Sequence, residues 1–361
     1  MSDIIVIGGG IAGISAAARL SEGAAVTVLE AEPALGYHAS GRSAALFEPR
    51  YGAAPVRALN EASAQYHHTA NGGYLSPRGL MLLGRAGDDG AFVSDMAELN
   101  CAEISLVEAR ETLPVLGDQV TRAAYHAGAY DIDTDRMIQD FARQVRASGG
   151  EIICGAKVQS ITYEASAWRV SSTARELTAP LLVNAAGAWA DEIAIMAGVT
   201  PLKIVPYRRS MARVPAPEGY DISGWPMFFG VGESWYAKPD AGKLLISPAD
   251  ETPCTAHDAW AEDLVLAEGI DRYEQHVTSA VTRLETSWAG LRSFTPDRVL
   301  ALGRDPDQPA FIWCAGQGGY GFQTAPAASR LVADLVLGQA VELDPDVVKA
   351  LSPGRFFRAH T

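Results

Sequence analysis

Three glycines, Gly8, Gly10 and Gly13, stand in the spacing Gly-x-Gly-x-x-Gly directly after the apolar run Ile4–Ile7. A turn without side chains lets backbone N–H groups come close to a pyrophosphate. The helix opening behind it, through Ile11 and Ala12, adds unpaired N–H groups and partial positive charge. Glu30, followed by Ala31, closes a second apolar run, Ala25–Leu29, at about the 20-residue distance where an acid meets a ribose 2′-hydroxyl. It also disfavours a phosphate at that point. The triplet alone is weak evidence. Preceded by a strand, opening an Ala-rich helix to about Leu20 and answered by the acid, it predicts a dinucleotide site, with NAD and FAD both open.

The elements that must position this site follow from the rest of the chain. Its 361 residues are 48% hydrophobic and 20% charged, enough for one large α/β unit or two domains with their own cores. Basic residues number 29 against 43 acidic, a formal net charge of −14 that argues against nonspecific nucleic-acid binding. Cys101, Cys154, Cys254 and Cys314 are scattered without CxxC or His-rich pairing, so neither a disulfide framework nor a metal site is expected, and a reducing cytoplasm fits. Met1-Ser2-Asp3 leads straight into the first apolar run without a basic n-region, so no signal peptide is expected. The uncharged window Gln308–Ser329 is interrupted by glycine, proline and glutamine, which argues against membrane insertion.

Asp133 or Thr134 can cap a helix through about Arg146, with Met137, Ile138, Phe141 and Val145 on one side. Glu151–Cys154 reads as a strand, and 158–163 with 168–172 alternates like an antiparallel meander. Leu181–Gly187 gives a second strand entering a glycine turn, with a helix to about Met196. Strand-like stretches dominate from Lys203 to Leu284, and a third strand–glycine–helix unit runs from Phe311 to about Leu337. The fold class expected is α/β (α+β overall): a discontinuous Rossmann-like domain from residues 1–75, 131–202 and 286–361, with a strand-rich substrate domain from 76–130 and 203–285.

The segment Gly36-Tyr37-His38-Ala39-Ser40-Gly41-Arg42-Ser43-Ala44-Ala45 resembles the second FAD-contacting segment of the D-amino acid oxidase and glycine oxidase superfamily. The likeness continues at Val183–Trp189, Trp288–Phe294 and Gly316–Thr324, and covers nearly the whole chain. It looks closest to bacterial FAD-dependent D-arginine dehydrogenases and related D-amino acid dehydrogenases, sharing Ser76-Pro77-Arg78, Asp131–Asp135, Tyr207–Ser210 and Trp225-Pro226-Met227. The resemblance implies non-covalent FAD. It places Gly41, Arg42, Ser43 and Ala44 along the diphosphate and flavin edge, the Val158 backbone at the adenine, and Ala186, Gly187 and Trp189 close to the cofactor. Gly318, Gly319, Tyr320, Gly321, Phe322, Gln323 and Thr324 would bring a helix N-terminus to the flavin pyrimidine, where negative charge develops on reduction.

The same resemblance implies a carboxylate-binding pair, Arg209 and Arg292, a task suited to planar guanidinium groups. Tyr236 would shape the pocket or bond the carboxylate, Tyr51 would sit in a covering loop hinged at Gly52, Met227 would form an apolar wall, and Gln323 would meet flavin or amine. The reaction implied is hydride transfer from Cα to flavin, giving an imino acid that water converts to a 2-oxo acid and ammonia. The amine must be neutral, so the rate should rise with pH.

The chain departs from the arginine-specific pattern at Leu80, where an acid would face the substrate cation. Leu80 cannot pair a cation, so a neutral, apolar or aromatic D-amino acid is expected. Glu48, in the altered loop Leu46–Arg50, would restore a cationic preference if it pointed inward. The rival readings are oxidation of N-methyl glycine, proline or a 2-hydroxy acid at the same arginines, a non-catalytic FAD subunit of an electron-transfer complex, and a nicotinamide reductase. Either oxygen or a quinone can serve as acceptor. The tail Arg355-Phe356-Phe357-Arg358 is too short for stable membrane attachment.

Overall fold

The computed structural model describes residues 2–357, so Arg358 of the C-terminal tail lies outside the described residues. Two large sheets divide the work. The first has six strands in the order Ala301–Arg304, Phe311–Ala315, Leu181–Asn184, Ile4–Ile7, Val26–Leu29 and Glu151–Ile153. All neighbours run parallel except the first pair, Ala301–Arg304 against Phe311–Ala315. Ile4–Ile7 and Val26–Leu29 are buried along their whole length, because a parallel sheet is covered on both faces.

Helices Ile11–Leu20, Thr134–Ala147 and Gly321–Leu337 cover one face, where Ile4, Val6, Val28, Ile312 and Cys314 meet Ile14, Phe141, Leu331 and Val332. The other face carries Ile5, Ile7, Leu182 and Trp313. The antiparallel meander Val158–Glu164, Ala167–Ser172 and Glu176–Ala179 closes over it together with helix Ala190–Met196. The Thr134–Ala147 helix begins as expected, with the Asp133 carboxylate accepting from the Arg136 N–H at 3.1 Å.

The second sheet has nine strands. Eight follow the order Thr252–Pro253, Val205–Pro215, Lys243–Ser247, Tyr236–Asp240, Met227–Gly230, Leu80–Arg85, Val120–His126 and Ala102–Ile104; the ninth, Thr286–Phe294, pairs with Val205–Pro215 over nine residues. Its side chains alternate cleanly. Met81, Leu83, Phe228, Trp235, Ala237 and Ile246 pack on one face against Leu113, Leu266 and Tyr273. Leu80, Leu82, Met211, Phe229 and Tyr236 line the other, toward the first sheet.

Three features differ from the expectations. Residues 286–294, expected in the nucleotide-binding part, are hydrogen-bonded into the nine-stranded sheet, where their backbone pairs antiparallel with Val205–Arg213 over nine residues. Helix Asp263–Glu274 lies inside a region read as strands. Half of its twelve residues are apolar, but they cluster at the start, Leu264 is exposed, and only Leu266, Gly269 and Tyr273 are buried, so no clean helical face stands out. Helix Ala54–Thr69 was not anticipated, since its buried face includes Asn60, Ser63 and His67.

Candidate active site

One cavity of about 670 Å3 runs between the two sheets, from the glycine turn to the inner face of the nine-stranded sheet. At its nucleotide end, Gly8 has φ +109°, and a Cβ there would sit 2.4 Å from the Ala185 carbonyl oxygen. Gly10 caps helix Ile11–Leu20 in extended conformation without a side-chain cap, leaving N–H groups at the helix start for a ligand. Ile11 N–H donates to Ser40 Oγ at 3.0 Å, which ties the turn to the second segment. Gly13 serves packing instead: its Cβ would meet the Gly8 carbonyl oxygen at 1.9 Å, and it does not reach the cavity.

Glu30 lines the cavity beside Ala31 and is 8% exposed. Its two oxygens accept from Gly9 N–H at 2.5 Å and Glu32 N–H at 2.8 Å, so the acid expected at a ribose also braces the glycine turn. Gly41 lies outside the lining and folds the turn back, its N–H donating to the Gly36 carbonyl at 2.6 Å. Arg42, Ser43 and Ala44 line the cavity. The Arg42 guanidinium, however, donates to the carbonyls of Ala259 at 2.8 Å and Ala289 at 2.9 Å and to Asp258 at 2.5 Å. It ties loops together rather than standing free for a diphosphate. Val158, Ala186, Gly187 and Trp189 all face the cavity.

The third glycine-rich segment brings a second uncapped helix start. Helix Gly321–Leu337 has no side-chain cap and no acid in its first turn, and Gly318, Gly319, Gly321, Phe322 and Gln323 line the cavity. Tyr320 and Thr324 stand behind that wall. Thr324 Oγ1 donates to the Tyr320 carbonyl at 2.9 Å, and the Tyr320 ring packs edge-on to Tyr51 at 5.4 Å. Two helix N-termini without N-cap side-chain bonds, and a slot between glycine-rich segments, fit an elongated, negatively charged dinucleotide with a flat ring system, as FAD requires.

At the other end the nine-stranded sheet presents two arginines. Strand alternation sends Arg208 and Arg209 to opposite faces. Arg208 pairs with Asp250 at 3.3 Å and with Glu262, and Ser210 takes the remaining Asp250 bonds. Arg209 faces the cavity. Its Nε donates to the Asp250 carbonyl at 2.9 Å, while one terminal nitrogen is buried without any partner. Arg292 is its diagonal neighbour, because Tyr207 pairs with Arg292 and Arg209 with Gly290; the absence of a side chain at Gly290 lets the 39–42 segment pack close, a Cβ there lying 3.5 Å from Arg42 Cβ.

Arg209 Cζ lies 5.9 Å from the centre of the Tyr236 ring. Tyr51 donates to Glu233 at 3.3 Å. Burial, and then the Glu233 charge, push its phenol well above the ordinary range, so it stays protonated. Burial favours neutral Arg292, but Tyr51, Tyr236 and Glu233 outweigh it and hold the guanidinium charged. Met227, Leu80 and Gln323 also line the cavity.

Two acids stand where the sequence did not assign them. Glu233 follows Gly232 in a short turn before Trp235, and its place directly ahead of the Tyr236 strand was the available signal. Glu48 faces inward: it lines the cavity, is 3% exposed, and has Oε2 3.4 Å from His126 Nε2. Burial raises its carboxyl pKa. Among the described residues, no group of acidic, histidine or cysteine side chains is arranged to hold a metal, and no helix is long and apolar enough to cross a membrane.

A family model described as FAD dependent oxidoreductase (DAO) matches residues 3–335. The glycine oxidase of Bacillus licheniformis is 23% identical over 95% of both chains. The glycine oxidase of Pseudomonas aeruginosa is 25% identical, covering 95% of this chain and 96% of its own. Among solved structures, glycine oxidase from Geobacillus kaustophilus superposes with TM-score 0.83 at 21% identity over 98% of each chain. L-Proline dehydrogenase from P. horikoshii does so with TM-score 0.83 at 24% identity, covering 99% of this chain and 98% of its own.

Proposed function

Because the chain belongs to the FAD-dependent oxidoreductase family DAO, we propose that its cavity oxidises the Cα–N bond of an amino acid, in the D series, to an imino acid that water converts to a 2-oxo acid and ammonia. Bound FAD supplies the hydride acceptor. The observation that carries this reading is the buried, unpartnered terminal nitrogen of Arg209 beside Arg292 in the same cavity. A buried guanidinium donor without an acceptor is costly, and a substrate carboxylate satisfies it.

The chain's own residues then divide the tasks. Arg209 and Arg292 grip the carboxylate from two strands. Tyr51, kept protonated and steadied by Glu233, and Tyr236 border the same end and limit the poses open to the ligand. Met227, Phe229 and Leu80 exclude water along the floor, where a neutral amine and its Cα hydrogen must be presented to the ring. The D series rests on the likeness of Ser76–Arg78, Tyr207–Ser210 and the other shared stretches to D-amino acid dehydrogenases.

The test is anaerobic absorbance of the yellow holoprotein mixed with single D- and L-amino acids, then with air. Bleaching of the oxidised flavin band by D-amino acids and not by L-enantiomers is expected. Recolouring in air separates an oxidase from a dehydrogenase that hands electrons to a quinone. No bleaching by any amino acid overturns the reading, and bleaching by N-methyl glycine, L-proline or 2-hydroxy acids alone replaces it.

A further inference from the structure

Glu48 is a nearly water-free acid in the wall of the cavity, and only one of its two oxygens has a hydrogen-bond partner. Oε1 accepts from the Arg50 N–H at 3.0 Å, while Oε2 has no hydrogen-bond partner. Such a group costs stability unless something else completes it. It is also held in place rather than swinging free. Its own N–H donates to Gln323 Oε1 at 2.7 Å, and the Gln323 carbonyl bonds His67 Nε2 at 2.9 Å.

We propose that Glu48 recognises the far end of the substrate, which is an amino acid carrying a second cation, an ammonium or guanidinium, at the tip of a long side chain. This rests on the reading that Arg209 and Arg292 hold the α-carboxylate. The neutral preference expected from Leu80 assumed that no acid reached that end of the floor; Glu48 reaches it from the adjacent loop.

Strand order supplies the length. Arg209 lies over Tyr236; Tyr236 pairs with Phe229, Met227 of the same strand with Leu80, and Leu80 with His126, against which Glu48 sits. At about 4.8 Å between strands, three steps separate the carboxylate end from the His126 strand by roughly 14 Å. Side chains reaching in from both ends shorten that gap to the span of an extended lysine or arginine. Alanine or valine would leave the Glu48 end untouched. The charged and titratable neighbours of Glu48 are His126, Arg50 and Cys101; His126 Nε2, partly exposed, stands 3.4 Å from Oε2 and pairs with it when the imidazole is protonated, so a substrate cation would take the place of that contact.

The experiment compares kcat/KM of the holoenzyme for D-lysine and D-arginine with that for D-norleucine, which has the same chain without the cation. It is run on wild type, Glu48→Gln and Glu48→Asp. In parallel, calorimetry measures binding of 5-guanidinopentanoate and of hexanoate, neither of which has an amine to oxidise. The wild type should prefer the cationic member of each pair by tenfold or more. Glu48→Gln should cut that preference by about 10- to 100-fold, the range for removing the charged partner of a buried hydrogen bond, and Glu48→Asp should recover part of it.

An unchanged preference in Glu48→Gln, or norleucine and hexanoate favoured by the wild type, overturns the proposal. If Glu48→Gln does not fold, the wild-type binding preference still decides it. The two readings fail differently. If norleucine is oxidised and hexanoate binds while the cation adds nothing, only the role of Glu48 falls. If no carboxylate binds and no amino acid bleaches the flavin, the carboxylate reading falls and takes this one with it.

Discussion

Replacing Arg209 by lysine isolates geometry from charge. The arginine Nε is spent on the Asp250 carbonyl at 2.9 Å, and the unpartnered terminal nitrogen is the donor left for a substrate. Lysine keeps the positive charge but has a single head, so it can serve the Asp250 carbonyl or the ligand and not both. One charge-assisted hydrogen bond is lost at a buried site, worth about 1.5–3 kcal/mol. A tenfold change corresponds to about 1.4 kcal/mol, so KM should rise by roughly 10- to 150-fold. The carboxylate does not react, so its binding is lost equally from ground and transition states, and kcat should fall by less than about threefold. Steady-state kinetics on the best amino acid, with flavin content checked by absorbance, measures both parameters. A variant with unchanged KM and a collapsed kcat would refute the reasoning, because it would put Arg209 at the reacting bond instead of the carboxylate.

Gly8→Ala should yield colourless or unstable protein, since a Cβ would meet the Ala185 carbonyl at 2.4 Å in a backbone with φ +109°; flavin absorbance after purification checks it. His67 is buried and its pKa is lowered to about 4, desolvation being the main cause, so the folded state resists protonation that the unfolded chain accepts below about 6.5. Its contribution to stability is therefore complete above that value and is lost as pH falls toward 4, at up to about 1.4 kcal/mol per pH unit. Melts of wild type and His67→Gln between pH 7 and pH 5 should show a shallower decline in the variant. Lys238→Met should destabilise the fold by about 2 kcal/mol in denaturant titrations, because the Lys238 ammonium bonds Asp131 at 2.8 Å and the Ala44 carbonyl, while Arg78 keeps Asp131 paired.

The nucleotide end was legible because its constraints are local. Gly8, Gly10, Gly13 and Glu30 lie within one strand–turn–helix–strand unit, and each spacing has a single geometric meaning. Gly13 and Gly41 show how far such reading goes: both are needed, but to let backbone meet backbone rather than to touch a ligand. The end of the cavity proposed for the substrate is built by pairing strands distant in sequence, so a residue's face depends on register. Arg208 and Arg209 are chemically alike, and only the pairing with Thr286–Phe294 and Lys243–Ser247 decides which one meets the cavity. Glu48 and Glu233 sit in turns with no periodicity to betray their direction. The Thr286–Phe294 strand is hard to place from sequence because its motif resemblance concerns the cofactor while its hydrogen bonds belong to the other sheet.

That strand has a consequence for how the chain acquires its shape. The first strand, Ile4–Ile7, waits for Leu181–Asn184, which in turn waits for Phe311–Ala315, while Leu80–Arg85 needs Met227–Gly230 and Val205–Pro215 needs Thr286–Phe294. The two sheets are therefore interleaved along the polypeptide, and neither can close from a contiguous stretch. Such topology pays its loop-closure entropy early and collects its contacts late, which slows folding and leaves apolar edges open meanwhile. During synthesis, Arg209 emerges long before Arg292, and the glycine turn long before the helix Gly321–Leu337 that faces it. A ribosome-bound chain truncated before residue 286 would be able to complete neither sheet.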